Sequence, residues 1–442
     1  MRVSLWLIVL LFLAPAGNSQ DGEGVLTLVE AARQAVSRHP DLAAARGDLE
    51  AGEARAIGAT APYYPVVTAS AGRDTSRSSS DTTGGLTVIR SGTNDLYSAG
   101  FQARQRLLDF GQTRSQVVTA EHRIRALQNE LEDTLQQTIF EVVQAYFQVQ
   151  REAAAIEINL DNVRNAEVQL QQALGFWEAG TRARIEVTRA EADVATARLG
   201  LIRAENAEKK ARLVLGTAMG LAGSVQDRLA QESLAQPDWD AEEAYALARG
   251  RRPDLLAADA QVAAARSAVN EAAAQYRPTI DATGSYFWRD DVFPPEQFSW
   301  SVGVDLQVPV FNEPALGAAV GEAEANLAAT AARRDALALD VNREVGGELL
   351  SLREAQESLQ AAAVATRAAE ESHFLASERY KVGVGSSIEV SEAQRVLVQA
   401  RSQELQARFD LQIALARLYR STGTLTLDFL DELVVLRLPP AP

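Results

Sequence analysis

The chain is written twice. Arg38-His39-Pro40-Asp41-Leu42-Ala43-Ala44-Ala45 returns as Arg251-Arg252-Pro253-Asp254-Leu255-Leu256-Ala257-Ala258, and Tyr63-Tyr64-Pro65 returns as Tyr276-Arg277-Pro278, both 213 residues later. Further on, Gly180 with Ile185-Glu186-Val187 returns as Gly383 with Ile388-Glu389-Val390, now 203 residues later. The shortfall lies mainly between Pro278 and Phe311, so the second copy has the shorter connection there. A unit of about 200 residues repeated once is a duplicated fold, not a short-period solenoid. The boundaries that follow are 21–220 for the first repeat, 221–240 for a linker, 241–425 for the second repeat and 426–442 for a C-terminal tail.

Within each unit the pattern predicts a short helix, two strands, a very long helix, a turn and a shorter helix. Apolar or small residues recur at 142, 146, 149, 153, 156, 160 and 163, then at 170 and 174. Steps of four and three mark a coiled-coil seam. Extended back to Gln112, that helix is roughly 90 Å long at about 1.5 Å per residue. No single globular core is that deep, so such helices pack side by side in an elongated bundle. The shorter helices keep one register: Val187, Ala190, Val194, Ala197, Leu201 and Ala204 answer to Val390, Ala393, Leu397, Ala400, Glu404 and Ala407. Alanine at alternate seam positions implies close approach of the helices. Aromatic residues at only 6% agree with narrow seams in place of a broad core.

The strands alternate with period two. From Phe298 to Val310 every even position is apolar, while Ser299, Ser301, Gly303, Asp305, Gln307 and Pro309 fill the odd ones. In the segment Ile280 to Arg289, Ile280, Ala282, Gly284, Tyr286 and Trp288 share one face; Phe287 is the exception to polarity on the other. Tyr97, Ala99, Phe101 and Ala103 repeat the pattern in the first half, and Val67 to Ala71 repeat it more weakly. Asp74 to Asn94 reads as an extracellular loop, larger than its counterpart at Asp290 to Gln297. Alternation alone also fits a soluble sandwich with one buried face. Four strands are too few to close a barrel, however, and left open they expose a face and two edges. Several copies each donating four strands to one barrel resolve both problems.

The N-terminus makes a membrane available. Met1-Arg2, the apolar run Leu5 to Leu13 and Ala14-Pro15-Ala16 have the three parts of a secretory signal peptide, here assigned to residues 1–20. Beyond residue 20 no apolar run approaches the length of a transmembrane helix, so insertion has to be by strands.

Other classes are excluded by composition. A net charge of −16 without a basic, aromatic-interleaved stripe argues against nucleic acid. With no cysteine there is no disulfide, thiolate metal site or cysteine nucleophile. His39, His122 and His373 lie in no metal-ligand spacing, and neither Gly-x-Ser-x-Gly nor His-Glu-x-x-His occurs. No cofactor and no enzymatic activity are expected.

Two stretches punctuate the long helices: Gly180 to Val187 and Tyr380 to Glu392. Ser386-x-x-Glu389 reads as a capping box, and Gly180 and Gly383 as the stops of the preceding helices. Glu392 lies one turn further in, where capping does not explain it; a solvated helix face is the alternative to a functional role there.

The duplication, the two Pro-Asp-Leu segments, the Tyr-x-Pro strand entries, the strand ends at Phe110-Gly111 and Phe311-Asn312, and the paired tips together resemble the TolC-like outer-membrane efflux proteins, also called outer-membrane factors. The resemblance runs from about Leu26 to Leu425. It implies an α+β fold: a homotrimer with a long antiparallel α-helical coiled-coil barrel in the periplasm and a transmembrane β-barrel in the outer membrane, four strands per chain. It also implies a passive exit duct of a tripartite efflux pump or type I secretion system. The duct is docked by a periplasmic membrane-fusion adaptor protein and fed by an inner-membrane RND or ABC transporter. At the tip, the resemblance carries the family's latching tyrosine to Tyr380 and its aspartate to Glu186, while the arginine position is occupied by Gly385. Arg182 and Arg184 are then candidates to supply a cation to Glu186 or Glu389. The family's constricting acids fall on Glu389 and Glu392, which in three copies make an acidic pore ring favouring cations. The rival reading is a periplasmic coiled-coil adaptor or structural spacer, which would carry compact soluble β-domains in place of these strands.

Overall fold

The computed structural model describes residues 25–78 and 92–436. The signal-peptide assignment, residues 79–91 of the expected loop and the last part of the tail lie outside them. Element order is β1 (Val25–Leu26), α1 (Leu28–Arg38), α2 (Pro40–Ala59), β2 (Val66–Ser78), β3 (Gly92–Leu108), α3 (Gln112–Glu178), α4 (Arg184–Ala218), β4 (Arg228–Leu229) and β5 (Glu232–Leu234), then α5 (Ala241–Arg251), α6 (Pro253–Ala274), β6 (Thr279–Asp290), β7 (Phe298–Gln307), α7 (Glu313–Lys381), α8 (Ser387–Ser421), α9 (Leu427–Leu433) and β8 (Val434–Leu436).

Each half opens with two helices where the sequence suggested one. The break falls at His39-Pro40 and at Arg252-Pro253, because the residue before a proline is driven out of the helical region. Proline then starts the next helix at no cost, since its missing N–H is one a first turn leaves unbonded anyway. His39 also caps α2, its Nδ1 accepting the Asp41 N–H at 3.3 Å. The first helix of each half is started by a reciprocal capping box, Thr27 with Glu30 and Asp240 with Glu243.

The long strands pair antiparallel in the order β2-β3-β6-β7. The first two are longer than expected, so Asp74 to Ser78 and Gly92 to Asn94 belong to strands instead of a loop. Polar residues hold this extension: the Asp95 carboxylate accepts from Arg73 at 2.9 Å and from Thr75 at 2.6 Å. β7 stops at Gln307, short of Val310. Pro309 offers no N–H to a ladder.

α3 with α4, and α7 with α8, form two long antiparallel hairpins whose internal seams are apolar. Ala166, Val194 and Ala197 make one cluster, Ala173, Val187 and Ala190 another, and Ala369, Leu397 and Ala400 a third in the second hairpin. The main core sits midway along the bundle, where α1, α3, α8, α9 and the inter-repeat linker meet around Tyr146, Phe147, Leu215, Leu415 and Tyr419. Tyr146 Oη lies 3.0 Å from Leu26 O and 2.8 Å from Ala230 O, tying β1 and the linker to α3. The tail folds back on this region: β8 pairs antiparallel with β5, and Asp431 sits 3.5 Å from Arg33. Among the described residues no helix is long and apolar enough to cross a membrane.

Candidate functional site

The strand register places most of the four strands' apolar residues on one face, with Phe287 and Val66 on the other. Ala69 pairs with Phe101, Phe101 with Tyr286, and Tyr286 with Trp300. Directly paired residues of antiparallel strands share a face, so the alternation adds across the whole sheet. This face is uncovered: Trp300 is 68% exposed, Val302 79% and Leu306 64%. The opposite face carries Thr68, Ser70, Gln102, Arg104, Thr283, Ser285 and Ser301, with Ser285 and Ser301 bonded at 2.8 Å. Aromatic residues gather at both ends of the apolar band. Tyr286, Trp288, Phe298 and Trp300 lie at one end, with Tyr286 stacked on Phe298 at 5.7 Å, and Tyr63, Tyr64 and Phe311 are exposed at the other. An apolar band between two aromatic girdles, with a polar reverse face, is the pattern of a strand set that crosses lipid and lines water.

At the far end of the bundle the two hairpin turns lie side by side. Both close identically: Gly180 N–H bonds Trp177 O and Thr181 N–H bonds Phe176 O, while Gly383 N–H bonds Tyr380 O and Val384 N–H bonds Arg379 O. These are Schellman closures, and each needs a left-handed residue, supplied by Gly180 (φ +70°) and Gly383 (φ +83°). The two turns are joined by polar groups. Tyr380 donates to Glu186 Oε2 at 3.2 Å. Arg182 donates to Glu186 Oε1 at 3.3 Å, to Gly385 O at 3.0 Å and to Gly383 O at 3.4 Å, with its guanidinium 5.5 Å from the Tyr380 ring centre. Phe176 packs edge-on against the same ring at 5.5 Å. Burial pushes the Tyr380 phenol up, and the neighbouring Glu186 carboxylate adds to that.

Of the two candidate cations, Arg182 is the one brought to Glu186. Arg184 is exposed at the first residue of α4 and makes no ion pair among the described residues. Gly385 has no room for an arginine, because a Cβ there would lie 2.9 Å from Tyr380 N and 3.0 Å from Arg379 C. The tight second turn thus excludes a cation of its own and presents carbonyls to one from the first turn.

Ser386 caps α8, accepting the Glu389 N–H at 3.2 Å. The expected box is only half made: the Glu389 carboxylate turns away, 3.8 Å from Arg379. Glu392 is exposed and accepts from Arg395 Nε at 3.0 Å, which holds its carboxyl below the usual range. Two further cross-hairpin bonds escaped the sequence reading: Ser391 donates to Asp193 at 2.7 Å, and Gln394 Nε2 to Asn162 Oδ1 at 3.0 Å. Their signal was weak, a polar Gln394 one residue from the apolar seam position Ala393. Among the described residues no cluster of three His, Asp or Glu side chains is arranged to hold a metal ion.

A sheet built to face lipid, carried on long helical hairpins whose turns meet at a polar tip, defines a membrane duct. The chain belongs to the outer membrane efflux protein family, whose model matches residues 31–221 and 244–424. It is similar to the outer membrane efflux protein BepC of Brucella suis, 27% identical over 335 residues that cover 75% of this chain and 73% of the relative. It is also similar to protein CyaE of Bordetella pertussis, 28% identical over 413 residues covering 92% and 86%. The pyoverdine export outer membrane protein OpmQ of Pseudomonas aeruginosa is 26% identical over 419 residues, covering 88% and 84%. Among solved structures the fold matches the outer-membrane channel OprN at TM-score 0.76 and 23% identity, over 90% of each chain. It matches VceC of Vibrio cholerae at TM-score 0.76 and 19% identity, over 90% of this chain and 96% of that one. The chain is an outer-membrane efflux channel, and the adaptor or spacer reading falls away. Its relatives and structural neighbours are channels, not enzymes.

Proposed function

We propose that three copies of this chain form one duct, a twelve-stranded barrel in the outer membrane continued by a helical tunnel through the periplasm. The observation that carries this reading is the four-stranded sheet: it exposes its apolar face and leaves β2 and β7 with one unpaired edge each. Joining β7 of one copy to β2 of the next removes every edge, which three four-stranded sheets achieve at a known barrel size. Exposed apolar residues continue along the helices, among them Leu199, Ile202 and Leu213 on α4 and Leu339, Leu350 and Val364 on α7. Neighbouring copies cover these stripes.

The tip is the gate and the docking end. Arg182, Glu186 and Tyr380 hold the two turns together, Gly180, Gly383 and Ser386 shape the turns that a periplasmic membrane-fusion adaptor grips, and Arg184 faces outward to it. Glu389 and Glu392 line the narrow opening. Each acid has an arginine beside it, Arg379 and Arg395 respectively, so the ring is weaker in net charge than six free carboxylates would be. An inner-membrane RND or ABC transporter supplies the energy, and the similarity to a pyoverdine export protein and to efflux proteins supports a small-molecule cargo chosen by that pump.

Purified protein reconstituted in a planar bilayer is expected to give discrete conductance steps and to sediment in detergent as a trimer. A monodisperse monomer, soluble without detergent and silent in the bilayer, would overturn the reading.

A further inference from the structure

The seams inside each hairpin are apolar, but the joint between the two hairpins is not. Where α3 of the first hairpin runs beside α7 and α8 of the second, a cavity of about 280 Å³ opens, bordered by Glu157 and Ile158 on α3, Thr366 on α7 and Leu405 on α8. Thr366 is only 6% exposed, and its hydroxyl has no hydrogen-bond partner among the described residues. A threonine inside a helix can turn its hydroxyl back to the carbonyl four residues earlier, as the buried Thr138 does to Thr134 O at 2.8 Å. Thr366 forgoes that bond, which leaves a polar atom at the cavity wall for something other than this chain to satisfy.

Charge gives the sign of the missing partner. Four carboxylates border the cavity, on Glu157, Asp161, Glu370 and Glu404. Arg401 donates to Glu370 at 2.7 Å, Arg164 to Asp161 at 3.2 Å, and Arg408 lies beside Glu404. Among the described residues Glu157 has neither an ion pair nor a hydrogen bond, so one negative charge is left over. No three of these acids are arranged to hold a metal ion, so the cation that fits is an extended one, and Ile158 and Leu405 offer its body an apolar wall. A neighbouring cavity nearer the tip also borders an unpartnered buried atom, Gln394 Oε1, but its acids are already engaged: Asp193 by Ser391 and Glu392 by Arg395.

We propose that this cavity is a binding site for a small amphipathic monocation, an amidine or amine carried on an apolar body. The charged end pairs with Glu157, an N–H reaches the Thr366 hydroxyl, and the body lies against Ile158 and Leu405. A planar amidinium suits the carboxylate best, because it offers two parallel N–H donors to the two oxygens. A ligand so held touches both repeats of the chain, and its binding adds to the stability of their joint.

The probe is benzamidine, with benzamide, its neutral analogue of nearly the same shape, as the ligand control. Equilibrium dialysis against the detergent-purified protein should show saturable binding of benzamidine. Glu157→Gln keeps the side chain's size and removes its charge, and should weaken binding about tenfold; Thr366→Val keeps the shape and removes the hydroxyl, and should weaken it about threefold. Glu357→Gln, which removes an exposed and unpaired acid elsewhere on α7, should leave the affinity as it was. Glu157 is exposed and Thr366→Val removes an unbonded hydroxyl, so neither change should lower the thermal unfolding temperature of the ligand-free protein. An affinity unchanged in either cavity variant, an equal loss in Glu357→Gln, or benzamide bound as tightly as benzamidine overturns the site. So does a parent protein that takes up no benzamidine saturably, the result expected where a neighbouring copy already fills the cavity.

Discussion

The Tyr380 hydroxyl meets the Glu186 carboxylate at 3.2 Å, and the two residues come from opposite halves of a duplicated chain, 194 positions apart. Arg182 closes the same junction from above the ring. A neutral hydrogen bond to a carboxylate is worth about 1.5 to 3 kcal/mol when shielded, and Arg182 adds contacts to two carbonyls that, among the described residues, no other side chain serves. Arg182→Ala should therefore open the tip more than Tyr380→Phe does, because the phenylalanine keeps the packing against Phe176 and loses one bond. Single-channel recording on the two variants decides it; equal effects would put the latch in the tyrosine alone.

A second expectation concerns charge. Glu392→Gln should shift ion selectivity towards anions by more than removal of one partly neutralised acid suggests, since it leaves Arg395 without its carboxylate. The double variant Glu392→Gln with Arg395→Gln should return most of the way to the parent selectivity. Reversal potentials in a salt gradient measure this, and a double variant that stays as anion-preferring as the single one would remove the pair from the opening.

The duplication, the two long hairpins, the four alternating strands and the left-handed glycines were all legible in the sequence, because each rests on a local period or a backbone demand. The contacts between the two hairpin turns were only half legible. Arg182 and Glu186 are four residues apart on one turn, a spacing that suggests contact, but the bonds from Arg182 to Gly383 and Gly385 depend on how two distant turns are juxtaposed. The same holds for Ser391 with Asp193. The missed proline breaks in the opening helices were readable in principle. The strand extensions past Asp74 were not, because polar residues on both strands there follow no apolar alternation, and cross-strand bonds from Asp95 hold them.

The ion cluster around the buried Asp281 at the foot of the sheet should carry much of the joint between the repeats. Asp281, with 4% of its side chain exposed, accepts from Arg104 at 2.9 Å and Arg106 at 3.1 Å across the β3–β6 pair. Asp281→Ala strands two arginines together, and is expected to cost about 2 kcal/mol, less than a fully buried pair because Arg104 is itself half exposed. Trimer heat resistance on gels should fall, whereas Asp305→Ala on the neighbouring strand should change it little, having among the described residues only the Thr283 hydroxyl to lose.

Glu232 sets a pH dependence at the middle of the bundle. Its side chain is buried, it accepts the Leu28 N–H at 2.7 Å, and burial raises its pKa. A carboxyl whose folded pKa exceeds its unfolded one binds its proton more tightly in the folded chain, so its contribution to stability is fully present below the unfolded value and is lost as pH rises through the folded one. At neutral pH the buried charge is thus a burden that Glu232→Gln removes, while the amide oxygen still accepts from Leu28. Thermal unfolding in detergent should show the glutamine variant more stable than the parent at pH 7, with the difference shrinking as pH approaches 4. A difference that stays constant across that window would mean the carboxylate is stabilised as fully folded as unfolded, and its burial is without consequence for pH.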